Sequence, residues 1–372
     1  MTPAPQAARA TCVEPVDLPA WYPLEVPGHG PGIALDLDGA PVWFVSRDVE
    51  LAPGPEAAAC LVAYPCLATG RPLRFSGQQP GEAFLANVRG ATGLMAGWWG
   101  LAPLDTMVAP GCPPPPAAPA RARGTALFFS GGLDSYYSLF HFPGIDTLVF
   151  ITGYDARLAN RAAADRMIAE FRVLAADRGQ RLVTVSTNLR DHPLLGAQRW
   201  VRYCGVPQMV VAHLLAREAS TFVVSSSHHG SHRVPWGSHP DLDWRWGNDR
   251  VAIEHFGLEC WRGDKLVALA DQPIVHATLR VCYPVPAEGR NCGHCEKCVR
   301  TRLHYHVGLP GVRCETLPDE PPLATALDAM PLVEEPKLTE AYRWALDHAS
   351  ADDEVTRALA RLVARSDGHR HP

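Results

Sequence analysis

Six residues, Ser130-Gly131-Gly132-Leu133-Asp134-Ser135, lie between an apolar run at 125–129 and an apolar, aromatic segment at 136–142. A strand that turns through Ser-Gly-Gly into a helix presents backbone N–H groups and a positive helix end to an anion. Gly131 and Gly132 let the backbone approach a ligand closely and take φ > 0, and the hydroxyls of Ser130 and Ser135 add donors. The chemistry this suits is phosphate binding. No Gly-Lys-Ser/Thr follows, so the turn differs from a Walker P-loop and γ-phosphoryl transfer is the weaker reading. The plain alternative is a tight turn built from small residues. Asp134 fits two roles equally: a neighbour of a magnesium ion, or an acid covering free N–H groups at the helix start.

A second constellation is Cys282, Cys292, Cys295 and Cys298, spaced x9, x2 and x2. Four thiolates this close suit a tetrahedral Zn²⁺, and a four-Cys set leaves no open position for catalysis, so the expected role is structural. A Cys-x2-Cys-x2-Cys run with a fourth Cys is also an iron-sulfur arrangement, and the two stay open here. Lys297, Arg300 and Arg302 are placed to offset the thiolate charge or to donate to the sulfurs.

Residues 227–249, "SHHGSHRVPWGSHPDLDWRWGND", form a long loop rich in His and Trp. Loops beyond about 12–15 residues without structure of their own are uncommon in compact domains unless functional. His228, His229, His232 and His239, with Asp241 and Asp243, offer a second metal site or acid/base partners, and Trp236, Trp244 and Trp246 offer flat apolar area to a substrate. A merely polar loop is the alternative. Trp98 and Trp99 read as core. Cys204 and Cys260 read as buried free cysteines, with sulfur transfer as the rival role.

These residues need elements to hold them. Strand-like runs at 125–129, 146–152, 181–186 and 221–226 alternate with helical segments at 136–142, 156–178 and 206–218, which predicts an α/β domain with a parallel sheet covered on both faces, a doubly wound arrangement. Ligands of such sheets bind beyond the carboxyl ends of the strands, where Ser130, Gly153, Asn188 and Ser227 fall. Before it, residues 1–20 are Pro/Ala-rich and read as a mobile N-terminus. Residues 21–108 read as a small mixed α/β domain with a hairpin across Asp38-Gly39, and 109–124 as a stiff Pro-rich linker. The ATP-binding unit spans 125–318, and 319–372 is a tail with helices near 339–348 and 353–365.

SGGLDS resembles the SGGxDS signature of the PP-loop ATP pyrophosphatase superfamily. With "RVCY" and "NCGHCEKCVRTR", the chain is similar to the 7-cyano-7-deazaguanine synthase family over about residues 124–308. The resemblance implies an adenine nucleotide alpha hydrolase-like fold and ATP phosphates held by Ser130, Gly131, Gly132, Leu133, Asp134 and Ser135. It also implies Mg²⁺ near Asp134, adenine near 150–153 including Gly153, and a phosphate-contacting cation at Lys265, whose alternative is a solvated helix-end lysine. The implied reaction is adenylation of a carboxylate or amide oxygen with pyrophosphate release, followed by attack of ammonia or another nitrogen donor. The superfamily also includes tRNA thiolation enzymes, so sulfur transfer is a second reading, and a zinc-containing nucleotide-sensing module a third. Residues 1–120 and the segment "HRVPWGSHPDLDWRW" depart from the family, so its purine-like substrate does not carry over.

Composition sets the outer limits. The 372 residues carry a net charge of −5, with 47% hydrophobic and 20% charged residues, and 11 cysteines. That balance is globular and gives no polyanion footprint, which argues against a nucleic-acid partner and for a small-molecule substrate, with homo-oligomer formation open. No window approaches about 18 apolar residues and no signal peptide is evident, so a cytoplasmic protein without a membrane partner is expected.

Overall fold

Ala126, Leu127, Phe128 and Phe129 are all buried, alternately on two sides of one strand: Ala126 and Phe128 join one apolar cluster, Leu127 and Phe129 another. A strand buried on both faces needs this unbroken apolar run rather than an alternating one. The structure, a computed structural model, describes residues 13–114, 122–154, 156–283, 286, 290–331, 336–350 and 352–368.

In chain order, the first part contains β1 (Val16–Leu18), β2 (Tyr22–Val26), β3 (Gly30–Leu37), β4 (Ala40–Val45), α1 (Pro55–Thr69), β5 (Leu73–Phe75), α2 (Glu82–Trp99) and β6 (Thr106–Val108). The second contains β7 (Thr125–Phe128), α3 (Leu133–His141), β8 (Ile145–Thr152), α4 (Arg161–Asp177), β9 (Arg181–Thr187), the short α5 (Pro193–Gly196) and α6 (Trp200–Tyr203), α7 (Val206–Leu214), β10 (Thr221–Ser225) and β11 (Ala252–Phe256). Then follow α8 (Arg262–Val267), α9 (Pro273–Thr278), α10 (Glu296–Gly308), α11 (Leu323–Asp328), α12 (Pro336–His348) and α13 (Glu354–Gly368).

Eight strands form one sheet in the order β11-β10-β7-β8-β9-β4-β3-β2. The first five are mutually parallel; β4 joins β9 antiparallel through Phe44↔Thr187 and Val45↔Ser186, and β3 and β2 continue as hairpins, the first across Asp38-Gly39 as expected. A separate three-stranded parallel sheet runs β1-β5-β6. The 109–124 segment therefore does not separate two cores. The cluster on one face of the large sheet mixes Phe44, Leu61 and Val62 of the first part with Phe128, Met209 and Phe222 of the second. Residues 115–121 of that stretch lie outside the described residues, and nothing in a Pro-rich composition reports whether the flanking strands belong to one sheet.

α1 and α7 pack together over that face, and α3 and α4 cover the other, where Leu133, Tyr136, Met167 and Phe171 meet Leu127, Phe129 and Phe150. β7 is the first of the parallel strands in sequence and has β8 on one side and β10 on the other. Strand order reverses between β7 and β10, the position where open α/β sheets leave a crevice at their carboxyl ends.

The expected helix at 156–178 is a 3-10 turn at Leu158–Asn160 followed by α4, and β11 lies beyond the expected strands. The tail helices form a third cluster around Tyr342, Trp344, Leu359 and Leu362. Trp344 is the brace: its indole N–H donates to Asp264 Oδ1 (2.8 Å) while Asp264 Oδ2 accepts the Trp261 backbone N–H (3.0 Å) at the start of α8. No helix among the described residues is long and apolar enough to cross a membrane. Trp344→Ala is expected to cost about 3–5 kcal/mol, as deletion of a buried aromatic does, read as a lower urea midpoint with an unchanged slope.

Candidate functional site: a basic cavity beside a four-cysteine group

The Ser130–Ser135 turn begins where β7 ends and leads directly into α3. Gly131 has φ +71°, and a Cβ there would lie 2.8 Å from the Phe171 ring, so both conformation and space demand glycine. The Gly131 carbonyl accepts the Arg280 N–H (2.9 Å), and the Ser135 hydroxyl donates to the Gly132 carbonyl (2.9 Å). Ser130, Gly132, Asp134 and Ser135 line a cavity of about 540 Å³, a size that suits small-molecule ligands. Gly131 and Leu133 do not: Gly131 packs on the Phe171 ring and Leu133 is wholly buried in the core. Gly153 does not line it either. With φ +90° it packs where a Cβ would lie 1.8 Å from the Thr187 carbonyl oxygen, leaving Phe150, Ile151 and Tyr154 as the cavity wall at the end of β8.

Asp134 carries neither a cap nor a free carboxylate. It sits in the first turn of α3 with no side-chain cap hydrogen bond and accepts from Arg262 (2.7 Å) and Lys265 (3.3 Å). Burial alone would raise its carboxyl, but the Arg262 and Lys265 cations outweigh that and hold it below the usual aspartate range. Lys265 is wholly buried, and its ammonium also donates to the Ser226 carbonyl (2.6 Å) at the end of β10. The solvated helix-end alternative is thus excluded: the lysine spans the crevice between β7 and β10.

Arg233, Arg262, Lys265, Arg280, Lys297 and Arg300 line the cavity, against the two carboxylates of Asp134 and Glu296. Five of these six cations are already paired, Arg262 and Lys265 with Asp134, Arg280 with Glu170, Arg233 with Asp241 and Arg300 with Glu296, so the lining is rich in cations but largely charge-balanced. Arg280 and Arg262 were not singled out from the sequence, where each is an isolated arginine; only the fold brings them to the turn.

The loop residues divide. His228, His229, His232, Trp236 and His239 line the cavity, with His229 stacked on Trp261 (4.4 Å between ring centres) and His228 edge-on to Trp236. Asp241 is turned toward Arg233 (3.2 Å) and is not part of the lining. The three tryptophans do not act together: Trp246 is fully buried core, Trp244 is half exposed, and only Trp236 faces the cavity. Burial lowers His239 below the ordinary imidazole range. Trp98 and Trp99 are half-buried against the core, with Trp98 edge-on to His239. Cys204 and Cys260 both line the cavity, which their sequence context did not reveal.

The four cysteines converge, with one sulfur from each lying within 4.8 Å of the others. Cys282 to Cys295 and Cys292 to Cys298 are each 3.8 Å apart, close to the edge of a tetrahedron whose metal–sulfur bonds are about 2.3 Å. Backbone N–H groups of Cys292 (3.0 Å) and Cys295 (3.3 Å) donate to Cys282 and Cys292 sulfurs. The donor set can hold a metal ion. Arg300 pairs with Glu296 one turn back on α10 (2.7 Å), and Arg302 ties the Gly293 carbonyl (3.2 Å) to the Pro321 carbonyl (2.8 Å), so only Arg302 fixes the loop. Cys295 immediately precedes α10, which carries Arg300 to the cavity.

The molecule is thus an α/β protein with a small parallel sheet, a larger mixed sheet with a cavity at the ends of its parallel strands, and a four-cysteine group that could hold a metal ion. No protein-family model and no curated protein matches the chain. Among solved structures it has a likeness to a Type III CRISPR defence DNA nuclease activated by cyclic oligoadenylate. The two are 12% identical at a TM-score of 0.21, over 95% of this chain and 57% of that one. The chain thus spans little more than half of that nuclease, and similarity at this level carries no argument about either fold or activity.

Two predictions follow from the geometry. Asp134→Asn leaves two cations in a buried site without their counter-charge, expected to cost about 3 kcal/mol or more at pH 7 by urea unfolding. A depressed carboxyl contributes its stability above the unfolded aspartate value of about 3.9 and loses it as pH falls through the lower folded value, so the difference between variant and wild type should shrink below pH 4. Elemental analysis should find about one metal per chain, lost in Cys295→Ser, with a lower melting temperature after chelation.

Proposed function

We propose that the protein is an ATP-dependent adenylating enzyme of the PP-loop type, built on a doubly wound sheet. The observation that carries this is the Ser-Gly-Gly turn at the carboxyl end of β7, beside the strand-order reversal, facing a cavity in which cations outnumber carboxylates. ATP phosphates would take the backbone N–H groups of the turn and the Ser130 and Ser135 hydroxyls, with Arg280, Arg262 and Lys265 offsetting their charge. The adenine would lie against Phe150, Ile151 and Tyr154. Asp134 is already held by Arg262 and Lys265, so it would meet a magnesium ion brought with ATP only in place of one of these cations; the ion would supply charge neutralisation on the phosphates.

The reaction is attack of a carboxylate or amide oxygen of a small molecule on the α-phosphorus, pyrophosphate leaving, and displacement of AMP by a nitrogen nucleophile. The chain's own part is to orient the phosphates and to exclude water with the 227–249 loop. We assign the four-cysteine group to a structural zinc that fixes the start of α10 and hence Arg300. A second reading, sulfur transfer to an adenylated acceptor, gains from the presence of both Cys204 and Cys260 in the cavity wall.

Purified protein with Mg-ATP, ammonium and a panel of carboxylates should release AMP and pyrophosphate in equal amounts. Arg280→Ala should raise KM for ATP about tenfold or more, and Asp134→Ala should abolish turnover. An unchanged amide-forming rate in Cys204→Ser and Cys260→Ser excludes the sulfur route. ATP binding without AMP formation overturns the enzyme reading in favour of a nucleotide sensor.

A further inference from the structure

Asp243 has no solvent exposure, and three donors converge on its carboxylate: the Ser238 hydroxyl (2.8 Å), the His239 backbone N–H (3.0 Å) and His255 Nδ1 (2.8 Å). A buried carboxylate saturated with donors accepts from imidazole Nδ1, so His255 carries its proton there and presents a bare Nε2. His255 lies near the carboxyl end of β11, paired with Val224, one strand over from the Ser226 carbonyl that holds Lys265. It lines the same cavity as the Ser-Gly-Gly turn.

His239, alongside it in the cavity wall, has the opposite tautomer. Its Nδ1 accepts the Asp241 backbone N–H (3.1 Å), which places the proton on Nε2, and that buried nitrogen has no partner among the described residues. His255 is thus the imidazole that offers an accepting nitrogen to the cavity, whereas the His239 Nε2 is closed off from it. A carboxylate that fixes the tautomer of an imidazole is the device by which enzymes hold a general base ready.

We propose that His255, held by Asp243, is the general base of the transfer step at the acceptor end of the cavity. This rests on the adenylation reading above. The nitrogen of ammonia forms its bond to the carbonyl carbon of the acyl adenylate, and the carbon–oxygen bond to AMP breaks, AMP leaving with the electron pair. One N–H proton passes to His255 Nε2 and then to solvent. The acceptor is an acyl group with a flat or apolar body, for which Trp236 and Trp200 supply the wall.

The test supplies preformed benzoyl adenylate with ammonium to the full chain, so the transfer step is read without ATP activation. Wild type should accelerate benzamide formation over buffer, and His255→Ala should lower that rate about 100-fold or more. Added imidazole should restore a measurable part of it, which a misfolded variant or a purely structural histidine would not allow. Asp243→Asn should lower the rate without abolishing binding of benzoyl adenylate. Equal rates in wild type and His255→Ala, no acceleration by wild type, or a loss in His255→Ala that imidazole does not restore, overturns the assignment. AMP release from Mg-ATP, measured in parallel on wild type, reports the adenylation reading separately. A wild type that aminolyses benzoyl adenylate but never forms AMP from ATP keeps the base and loses the activation step.

Discussion

The cavity depends on one buried charge contact, the carboxylate of Asp134 held between Arg262 and Lys265. Removing any of the three would strand charge in a site with little solvent, so the contact ties the first turn of α3 to α8. Lys265 extends the tie to the end of β10, and Trp344 and Asp264 hold α8 from the other side. Three separate stretches of sequence thereby meet at the point where strand order reverses. The cations gathered there line a largely apolar cavity, and under the reading proposed above they would offset the charge of an anionic ligand.

The four-cysteine group acts on the same point from a distance. Its last two members bracket the start of α10, and α10 brings Glu296 and Arg300 to the cavity wall. A metal held by four thiolates would have no vacancy for a substrate, so its contribution would be positional. Arg302 extends this positioning by bonding carbonyls on either side of the 293–321 segment.

Local features were legible in the sequence. The Ser-Gly-Gly turn, the cysteine spacing, the alternation of strands and helices after residue 125 and the hairpin across Asp38-Gly39 each depend on residues close together in the chain. What was not legible depends on distance. Arg262 and Arg280 become site residues only because α8 and the segment after α9 fold back on the turn. His255 lies on a strand that polar neighbours, Glu254 among them, disguise, so Asp243 was legible as a candidate acid/base partner in its loop but its pairing with His255 was not. Trp246 and Trp236 lie in the same loop and each precedes a glycine, yet one is core and the other cavity wall. The pairing of β4 with β9 leaves no mark in either strand, since an apolar edge reads the same whichever partner it meets.

That pairing has a consequence for how the chain is made. Phe44 and Val45 leave the ribosome long before Thr187 and Ser186, the residues they pair with. At synthesis rates of about 5–20 residues per second the interval is on the order of ten to thirty seconds. During it the β2–β4 hairpins can form, but β4 keeps an open edge of the kind that invites pairing with other chains. α1 likewise waits for α7 before its apolar surface is covered. The nascent chain therefore passes through a window of exposure that closes only once β9 and α7 are complete, and the growing polypeptide has its highest demand for chaperone protection there rather than at its end.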